Sequence, residues 1–298
     1  NNAASNNYMY QSLYAATNYV LGNTITGGLS QTTLSNTQLT WESTYVTNVG
    51  LDFGFFKNRL SGSFEWFNRD TKGILISLPV PLEHGTSSVP NQNAGEVNNR
   101  GVDLEINWTD QIEKVGYSVG FNMGFVSNKV TKFQGDVASI SGVNKIQEGK
   151  PINQYYVLKV DRIVRDQSDL DYVQSLVDKN PNYFATYQRP ELGDFLFSDA
   201  NGDSNLNADD RVEIGHGDSP RLTFGANLGL TWNNFDFSML LQGVGDYKVY
   251  YNNQAFRFTT VMGQSLIKDI TDNAWTPENP YNSIYPRLRN NANSKNNI

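Results

Sequence analysis

The chain alternates apolar and polar residues so regularly that its secondary structure is strongly constrained. Between residues 101 and 109 every second position is apolar, at Val102, Leu104, Ile106 and Trp108. The pattern recurs over 117–125, 222–232 and 235–241, and less regularly over 45–55. A period of two residues places all the apolar side chains on one face of a β-strand. The sequence therefore predicts long strands with one apolar face, and that face must meet either a protein core or lipid.

Composition narrows the class of protein. The chain has 298 residues, of which 38% are hydrophobic and 12% aromatic, with a net charge of -7. A negative charge without a basic cluster argues against nucleic-acid binding. The absence of cysteine excludes disulfides, zinc–thiolate sites and a cysteine nucleophile. No apolar run reaches the length of a membrane-spanning helix, but a barrel strand needs only about 9–11 residues, every second one apolar.

The spacing of the strands adds a second constraint. Seven strand segments are predicted, at about 7–20, 43–57, 59–72, 101–113, 116–131, 220–232 and 235–248. Short links at 57–58, 113–115 and 233–234 suit tight hairpins. The other links are long, at 21–42, 73–100, 132–219 and 249–298. Short and long links therefore alternate along the chain.

This alternation of link lengths favours an antiparallel transmembrane β-barrel, whose periplasmic turns are short and whose outer loops are long. Aromatic residues near strand ends, such as Trp66 and Trp108, would then lie at the membrane interfaces. A soluble β-sandwich is the alternative. Strand edges in a bilayer would lack hydrogen-bond partners. The barrel interpretation therefore predicts that these strands are one piece of a longer chain.

The long links are predicted to contain short helices. Residues 168–179 begin with Ser168 as a cap and place Leu170, Val173 and Leu176 on one face. Residues 262–274 show a similar pattern. The expected organisation is a partial barrel domain over 1–298, with extracellular loops at 132–219 and 249–298.

The acid-rich segment 199–210 is the most specific candidate site. Oxygen-bearing side chains occupy its positions 1, 3, 5, 7, 9 and 12, which are Asp199, Asn201, Asp203, Asn205, Asn207 and Asp210. This spacing wraps a loop around Ca²⁺, a cation that takes six to eight oxygen ligands. Leu206 can anchor the loop to the protein.

Two residues of this segment depart from a calcium-sensor loop. Ser204 replaces the turn glycine, and Asp210 replaces the bidentate glutamate. No flanking helix pair is evident, so the segment is more similar to the calcium loops of dockerin-like modules. We expect a structural Ca²⁺ that fixes an extracellular loop. An Asx-rich turn without metal is the alternative.

No catalytic site is predicted. His84 and His216 are isolated in predicted loops, and neither a G-x-S-x-G elbow nor a phosphate-binding glycine loop occurs. Aromatic rings can stack on sugars, although paired tyrosines more often pack a loop. Two pairs are candidates for substrate or partner contact: Tyr155 with Tyr156, and Tyr250 with Tyr251.

Five short blocks occur in order along the chain. They are LTWE at 39–42 with NVGLDFGFFKNRL at 48–60, NAGEVNNRGVDLE at 93–105, EGKP at 148–151 with Tyr155-Tyr156, GD at 193–194 with the acidic loop and Ile214-Gly215, and WTPENP at 275–280 with Pro286-Arg287. Together they resemble the SusC/RagA family of TonB-dependent outer-membrane transporters. Ser204 and Asp103 depart from that family's usual Gly and Glu.

The resemblance implies an all-β fold, in which this chain supplies about seven strands of a 22-stranded barrel closed by an N-terminal plug. It implies TonB-dependent active import of oligosaccharides or peptides across the outer membrane of a Gram-negative bacterium. The implied partners are a SusD-like surface lipoprotein and TonB, which would contact parts absent from this chain.

Two other functions are also compatible with parts of the sequence. A siderophore-type TonB-dependent receptor shares the barrel, but the ordered blocks favour the SusC/RagA family. A secreted calcium-binding β-sandwich adhesin or carbohydrate-binding module would instead be water-soluble and fold independently.

Overall fold

Long antiparallel strands dominate the computed structural model, which describes residues 10–77, 91–134, 139–250 and 266–289. Two helices occur in these ranges, α1 at Gln167–Lys179 and α2 at Lys268–Asn273. The strands are β1 Leu13–Leu21, β2 Thr24–Thr33, β3 Ser43–Phe55, β4 Leu60–Ser77, β5 Asn91–Ile112, β6 Val115–Phe133, β7 Ser139–Ser141, β8 Asn144–Ile146, β9 Gln154–Leu158, β10 Val160–Ile163, β11 Phe195–Phe197, β12 Arg211–Ile214, β13 Leu222–Trp232 and β14 Phe235–Gly245. The all-β fold class predicted from the alternation is confirmed.

The chain divides into two compact units. The first comprises Asn1–Gln154 and His216–Lys248, and the second comprises Tyr155–Gly215 and Val249–Ile298. The long strands belong to the first unit, whereas α1, α2 and several short strands belong to the second. The second unit is therefore built from the two segments that the sequence marks as long loops.

Six strands of the first unit form one antiparallel sheet in the order β14-β13-β6-β5-β4-β3. Its register brings the apolar residues of each strand opposite those of the next. Val102 of β5, for example, pairs with Trp66 of β4 on one side and with Phe125 of β6 on the other. The apolar alternation of the sequence thus becomes a continuous apolar face of the sheet.

This apolar face is open to the surroundings of the sheet. Val49 is 62% exposed, Phe121 38% and Phe237 57%. The opposite face carries polar side chains, among them Asp103 and Glu105. A soluble protein rarely exposes so large an apolar surface, whereas a strand in a bilayer turns this face to lipid.

The hairpins of the sheet turn tightly at one end. Lys57 and Asn58 between β3 and β4, Glu113 between β5 and β6, and Asn233 between β13 and β14 all have positive φ. A left-handed residue lets two antiparallel strands connect within a few residues. The three tight turns lie at one end because these hairpins are neighbours in a single sheet, and the long links leave from the other end.

Several strands differ from the prediction: β4 ends at Ser77 rather than near residue 72, and the link 132–219 contains the short strands β7 to β12. The segment 21–42, expected to be a link, contains β2, which pairs with β1 through a turn at Gly22. Its sequence TITGGLSQTT is rich in small polar residues and lacks a clear apolar face. Strand β5 begins at Asn91, about ten residues earlier than predicted, where it pairs with the end of β4. The prediction missed residues 91–100 because they are mostly polar and interrupt the alternation.

Strands β4, β5 and β6 are 18, 22 and 19 residues long. A barrel strand crosses the hydrocarbon layer with about 9–11 residues, so these strands extend well beyond it. Near their far ends Val97, Val130 and Phe133 form a small buried cluster with Ile74, Ile76 and Ile146. This cluster explains how the strands stay ordered past the apolar band.

The second unit has its own core. Leu158, Tyr183, Phe197 and Leu206 form one buried cluster, and Val164, Val173 and Leu196 form another. Val173 projects from α1, which begins after the cap Asp166 rather than at Ser168 as predicted. Hydrogen bonds from Ser168 and Tyr281 hold the pKa of the Asp166 carboxyl at about 2.

The second helix, α2, is shorter than the predicted 262–274, of which residues 262–265 lie outside the described ranges. It buries Ile270, one of the apolar residues of the predicted face. In the part of the chain that the structure describes, no helix is long and apolar enough to cross a membrane.

The lipid-facing role of the apolar face can be tested at Phe121. An arginine there would place a charge in the middle of the apolar band, which costs about 2–4 kcal/mol in a barrel. Asn122, its neighbour on β6, lies on the opposite face and gives a matched control. We expect Phe121→Arg to lower the free energy of unfolding in detergent or bilayer by this amount and Asn122→Arg to change it by less than half as much. Equal effects would contradict the assignment of the two faces.

Candidate functional site

The acid-rich segment lies in the second unit between β11 and β12. It ends in a single 3-10 turn at Ala208–Asp210 and continues directly into β12. Leu206 is 2% exposed and packs with Leu158, Tyr183 and Phe197. The segment is anchored further by Asn180 at the end of α1, whose amide donates a hydrogen bond to the Ser204 carbonyl at 2.7 Å. The loop is therefore fixed to a hydrophobic core.

Asp199 organises the first half of the loop. Its Oδ1 accepts a hydrogen bond from the Gly202 N–H at 2.6 Å, and its Oδ2 accepts one from the Ser204 N–H at 2.8 Å. Asp203 Oδ1 similarly accepts from the Asn205 N–H at 2.8 Å. Each carboxylate oxygen that accepts one hydrogen bond retains a second lone pair for another donor or for a cation.

Ser204 stands where a calcium-sensor loop has its turn glycine. Its φ is +61°, in the left-handed region that non-glycine residues seldom adopt. The loop therefore makes the sharp turn of a calcium loop despite the substitution. Holding a serine in this conformation costs about 1 kcal/mol, which the hydrogen bond to Asp199 offsets in part.

Asp210 closes the loop from the other end. Its side chain is fully buried, and it accepts hydrogen bonds from the N–H groups of Ala200 at 2.9 Å and Asn207 at 2.8 Å. The Asn207 side chain accepts a hydrogen bond from the Asp209 N–H at 2.6 Å and forms a capping box with Asp210. A buried carboxylate without such donors would be strongly destabilising. Asp210 thus joins the first and last residues of the loop.

The remaining predicted ligands differ in how their oxygens are used. Asn201 Oδ1 accepts from the Asp203 N–H at 2.9 Å. Asn205 Oδ1 is buried and has no hydrogen-bond partner. A buried oxygen without a partner is uncommon in a native protein and calls for a donor or a cation. In the described ranges no group of three or more His, Cys, Asp or Glu side chains has a metal-binding arrangement.

A cavity of about 410 Å³ opens beside the loop. Its polar lining includes Asp161, Lys179 and Asp199, and its floor includes Leu196 and Phe197. Tyr183 also lines it, and burial together with the charge of Asp199 raises the pKa of this tyrosine to about 12. The cavity is large enough for a small polar molecule.

The predicted tyrosine contacts fall into three environments. Tyr155 is 9% exposed in β9, and its hydroxyl accepts a hydrogen bond from the Tyr250 N–H at 3.3 Å. Tyr156 pairs with Glu213 across β9 and β12 and is partly exposed. Tyr250 is 47% exposed, and its ring centroid lies 6.3 Å from that of Tyr155. Tyr251 lies outside the described residues. Tyr155 packs the loop, which leaves Tyr250 as the more accessible ring.

Only one of the two histidines lies in the described ranges. His84 lies outside them. His216 lines a cavity of about 220 Å³ in the first unit and contacts Arg221, and burial lowers the pKa of its imidazole.

Sequence reasoning missed a buried ionic cluster in the second unit. Asp194 is fully buried, and its carboxylate accepts hydrogen bonds from Arg287 Nε at 3.0 Å and Arg289 Nη2 at 2.7 Å. Both arginines also contact Glu191, which is 63% exposed. Gly193, with φ +83°, brings its backbone against Trp275, where a Cβ would have no room. The blocks GD and WTPENP…PR, separate in the sequence, therefore meet in one structural cluster.

Comparison with known proteins identifies the fold. The family described as TonB dependent receptor-like, beta-barrel matches residues 2–264. The chain belongs to this family. Its members are barrels of the outer membrane, whose strands turn an apolar face to lipid, and the six-stranded sheet has such a face.

Individual relatives agree with this assignment. The chain is 28% identical over 294 residues to TonB-dependent receptor P3 of Formosa agariphila, covering 93% of this chain and 27% of that protein. It is 28% identical to TonB-dependent receptor SusC of Bacteroides thetaiotaomicron, covering 82% of this chain and 24% of that protein. The chain thus spans about a quarter of the length of these curated relatives.

Solved structures of TonB-dependent family members give the same picture. A structure of the RagAB peptide transporter superimposes with a TM-score of 0.70 and 25% identity, covering 97% of this chain and 30% of that chain. A RagAB peptide importer structure in the closed-closed state gives a TM-score of 0.69. The predicted resemblance to the SusC/RagA family and the predicted barrel fold are both confirmed.

The buried cluster around Asp194 is expected to carry much of the stability of the second unit. Asp194→Ala removes the shared acid and leaves two arginines facing each other. Breaking a buried ion pair costs about 3–5 kcal/mol, and we expect about 3 because Arg287 and Arg289 keep some access to water. The measurement is native-state hydrogen exchange at β10 and β11, next to Asp194.

Glu191→Gln provides the matched control for this prediction. Glu191 contacts the same arginines but is largely exposed, and such pairs contribute about 0–1 kcal/mol. If the two variants opened β10 and β11 equally, the burial of Asp194 would not be the source of the stability.

Proposed function

We propose that this chain is part of the barrel of a TonB-dependent importer in the outer membrane of a Gram-negative bacterium. The observation that carries the proposal is the match of nearly the whole chain to TonB-dependent receptors, together with its structural likeness to the RagAB peptide transporter. The energy for import would come through TonB, acting on parts that this chain does not contain.

The proposed cargo is an oligosaccharide or a peptide, delivered by a SusD-like surface lipoprotein that covers the barrel. The similarity to SusC and to RagAB supports this choice of cargo. RagAB is named as a peptide transporter, whereas the name of SusC states no cargo. The second unit, formed by the two long links between strands, offers the surface for the lipoprotein and part of the entrance. Of the predicted tyrosines, we assign this contact to Tyr250, which is 47% exposed.

The inner face of the sheet suits a hydrated cargo. Glu65 pairs with Asp103 across β4 and β5, and Glu105 lies two residues further along the same face. Asp103 and Glu105 are both exposed. Carboxylates facing a lumen remain hydrated, whereas the same groups on the outer face would be costly in lipid. An acidic wall of this kind favours neutral or cationic cargo over anionic cargo.

The alternatives fit less well. A siderophore-type receptor would share the barrel, but the named relatives point to the SusC/RagA branch. A soluble β-sandwich adhesin disagrees with the barrel-family match and with the exposed apolar face of the sheet.

Import can be tested in cells that lack the gene and receive it back on a plasmid. We expect accumulation of either labelled oligosaccharides or labelled oligopeptides, and loss of that accumulation when TonB is inactivated. Uptake that persists without TonB, or no uptake of either class, would contradict the proposal. The class that accumulates settles the cargo.

A variant pair tests the role of the inner face in the same assay. Asp103→Asn combined with Glu105→Gln removes two charges from the lumen, and we expect the uptake of cationic cargo to fall several-fold. Leu104→Ile, which lies between them but faces lipid, should leave uptake unchanged.

We further propose that the acidic loop binds one structural Ca²⁺. Three features support this: the sharp turn at Ser204, the free lone pairs of Asp199 and Asp203, and the unpaired buried oxygen of Asn205. The ligands would be Asp199, Asn201, Asp203, Asn205, Asn207 and Asp210. Bound Ca²⁺ would fix the loop without taking part in chemistry.

Calcium binding can be measured by calorimetry and by protection of the loop from proteolysis. At a Ca²⁺ concentration one hundred times its Kd, we expect about 2.7 kcal/mol of added stability. Asp203→Ala should abolish both signals, whereas Asp209→Ala, in the same loop but outside the ligand set, should retain them. Equal calcium responses of wild type and Asp203→Ala would show that the loop is a metal-free Asx turn.

A further inference from the structure

The outward face of the sheet changes abruptly from apolar to polar along its strands. Trp66, Val102 and Phe125 lie directly opposite one another on β4, β5 and β6 and form the last apolar row. The next row on the same face, away from the tight turns, is Asn68, Arg100 and Ser127. The row after that is Asp70, Asn98 and Lys129. Two cations, Arg100 and Lys129, therefore lie directly beyond the lipid-facing band.

These two cations are not used within the protein. Both are exposed, and neither has an ion pair or a side-chain hydrogen bond among the residues that the structure describes. Neighbouring cations are compensated: Lys132 lies 3.8 Å from Glu96, and Arg221 lies 3.1 Å from Asp246. Arg100 and Lys129 are thus distinct from the charges around them.

Asp70, an acidic residue on the same face, already has hydrogen-bond partners within the sheet. Asp70 accepts hydrogen bonds from Asn98 at 2.7 Å and from Asn68 at 2.8 Å. Asn98 also donates to Asn68 at 2.7 Å, so the three side chains form a closed network. The network ties the Asp70 carboxylate to two amide groups on the β4 side of the cations and leaves both cations available to an external anion.

We propose that Arg100 and Lys129 bind the phosphate groups of lipid headgroups at the outer surface of the membrane. Ser127 faces Arg100 and Asn98 faces Lys129, so the two cations are diagonal neighbours on adjacent strands, about 7–8 Å apart at the backbone. A lipid whose acyl chains cover the apolar band brings its headgroup to this height. A cation near an anionic lipid surface contributes about fivefold to binding.

This site lies on the face opposite to the lumen. Arg69, Asp103 and Glu105 face inward, whereas Arg100 and Lys129 face outward with Val102 and Phe125. Lipid binding therefore does not depend on the proposed import function. It depends only on the placement of the sheet in the membrane, which follows from the barrel family.

The test uses the whole protein in nanodiscs of neutral phosphatidylcholine doped with diphosphorylated lipid A, the bound lipid being counted by native mass spectrometry. We expect Arg100→Gln and Lys129→Gln each to weaken lipid A retention about fivefold, and the double variant about 25-fold. The charge-preserving Arg100→Lys and Lys129→Arg should retain it. Removing the phosphates from lipid A should weaken its binding to the wild type as much as the double substitution weakens the binding of phosphorylated lipid A.

Arg69→Gln is the matched control, because it removes one positive charge at the same height of the sheet but on the inner face. It should retain lipid A as wild type does. Equal losses in Arg69→Gln and Arg100→Gln would overturn the proposal. If the neutral variants fail to fold, the wild type alone still tests the proposal. Equal retention of phosphorylated and dephosphorylated lipid A by the wild type would overturn it.

Discussion

The pairing of backbone N–H and C=O groups between neighbouring strands is the constraint on which the rest of the structure depends. Lipid offers these groups no partners, so each strand must be paired along its membrane-crossing length. Pairing fixes the register, and the register decides which face every side chain occupies. A shift of β5 by one residue would turn Asp103 and Glu105 toward lipid and Val102 and Leu104 toward the lumen.

The second unit solves a different problem, because long links between strands must be ordered without the sheet. It does so with two small hydrophobic clusters and two buried carboxylates. Asp210 is stabilised by hydrogen bonds from backbone N–H groups within 10 residues of it, whereas Asp194 is held by arginines more than 90 residues away. The first carboxylate closes one loop, and the second ties the two links together.

The strands with a clean period of two could be predicted from the sequence, and Leu206 was correctly expected to anchor its loop. Strand β2 and the first residues of β5 could not, since neither alternates in hydrophobicity. The cluster around Asp194 was also beyond reach. Arg287 and Arg289 lie 93 and 95 residues after Asp194 along the chain. Nothing in the sequence near GD or near Pro286-Arg287 indicates that these residues meet.

The antiparallel pleat lets one strand serve three environments. Along β5, Val102, Leu104, Ile106 and Trp108 lie on the apolar face, Asp103 and Glu105 lie on the polar face, and Arg100 and Asn98 lie beyond the apolar band. Side chains on opposite faces of the sheet do not touch, so a change on one face leaves the other intact. Differences in cargo between barrels of this kind can therefore arise from inward-facing residues and loops alone, while the outward residues keep the strand at a fixed depth in the membrane.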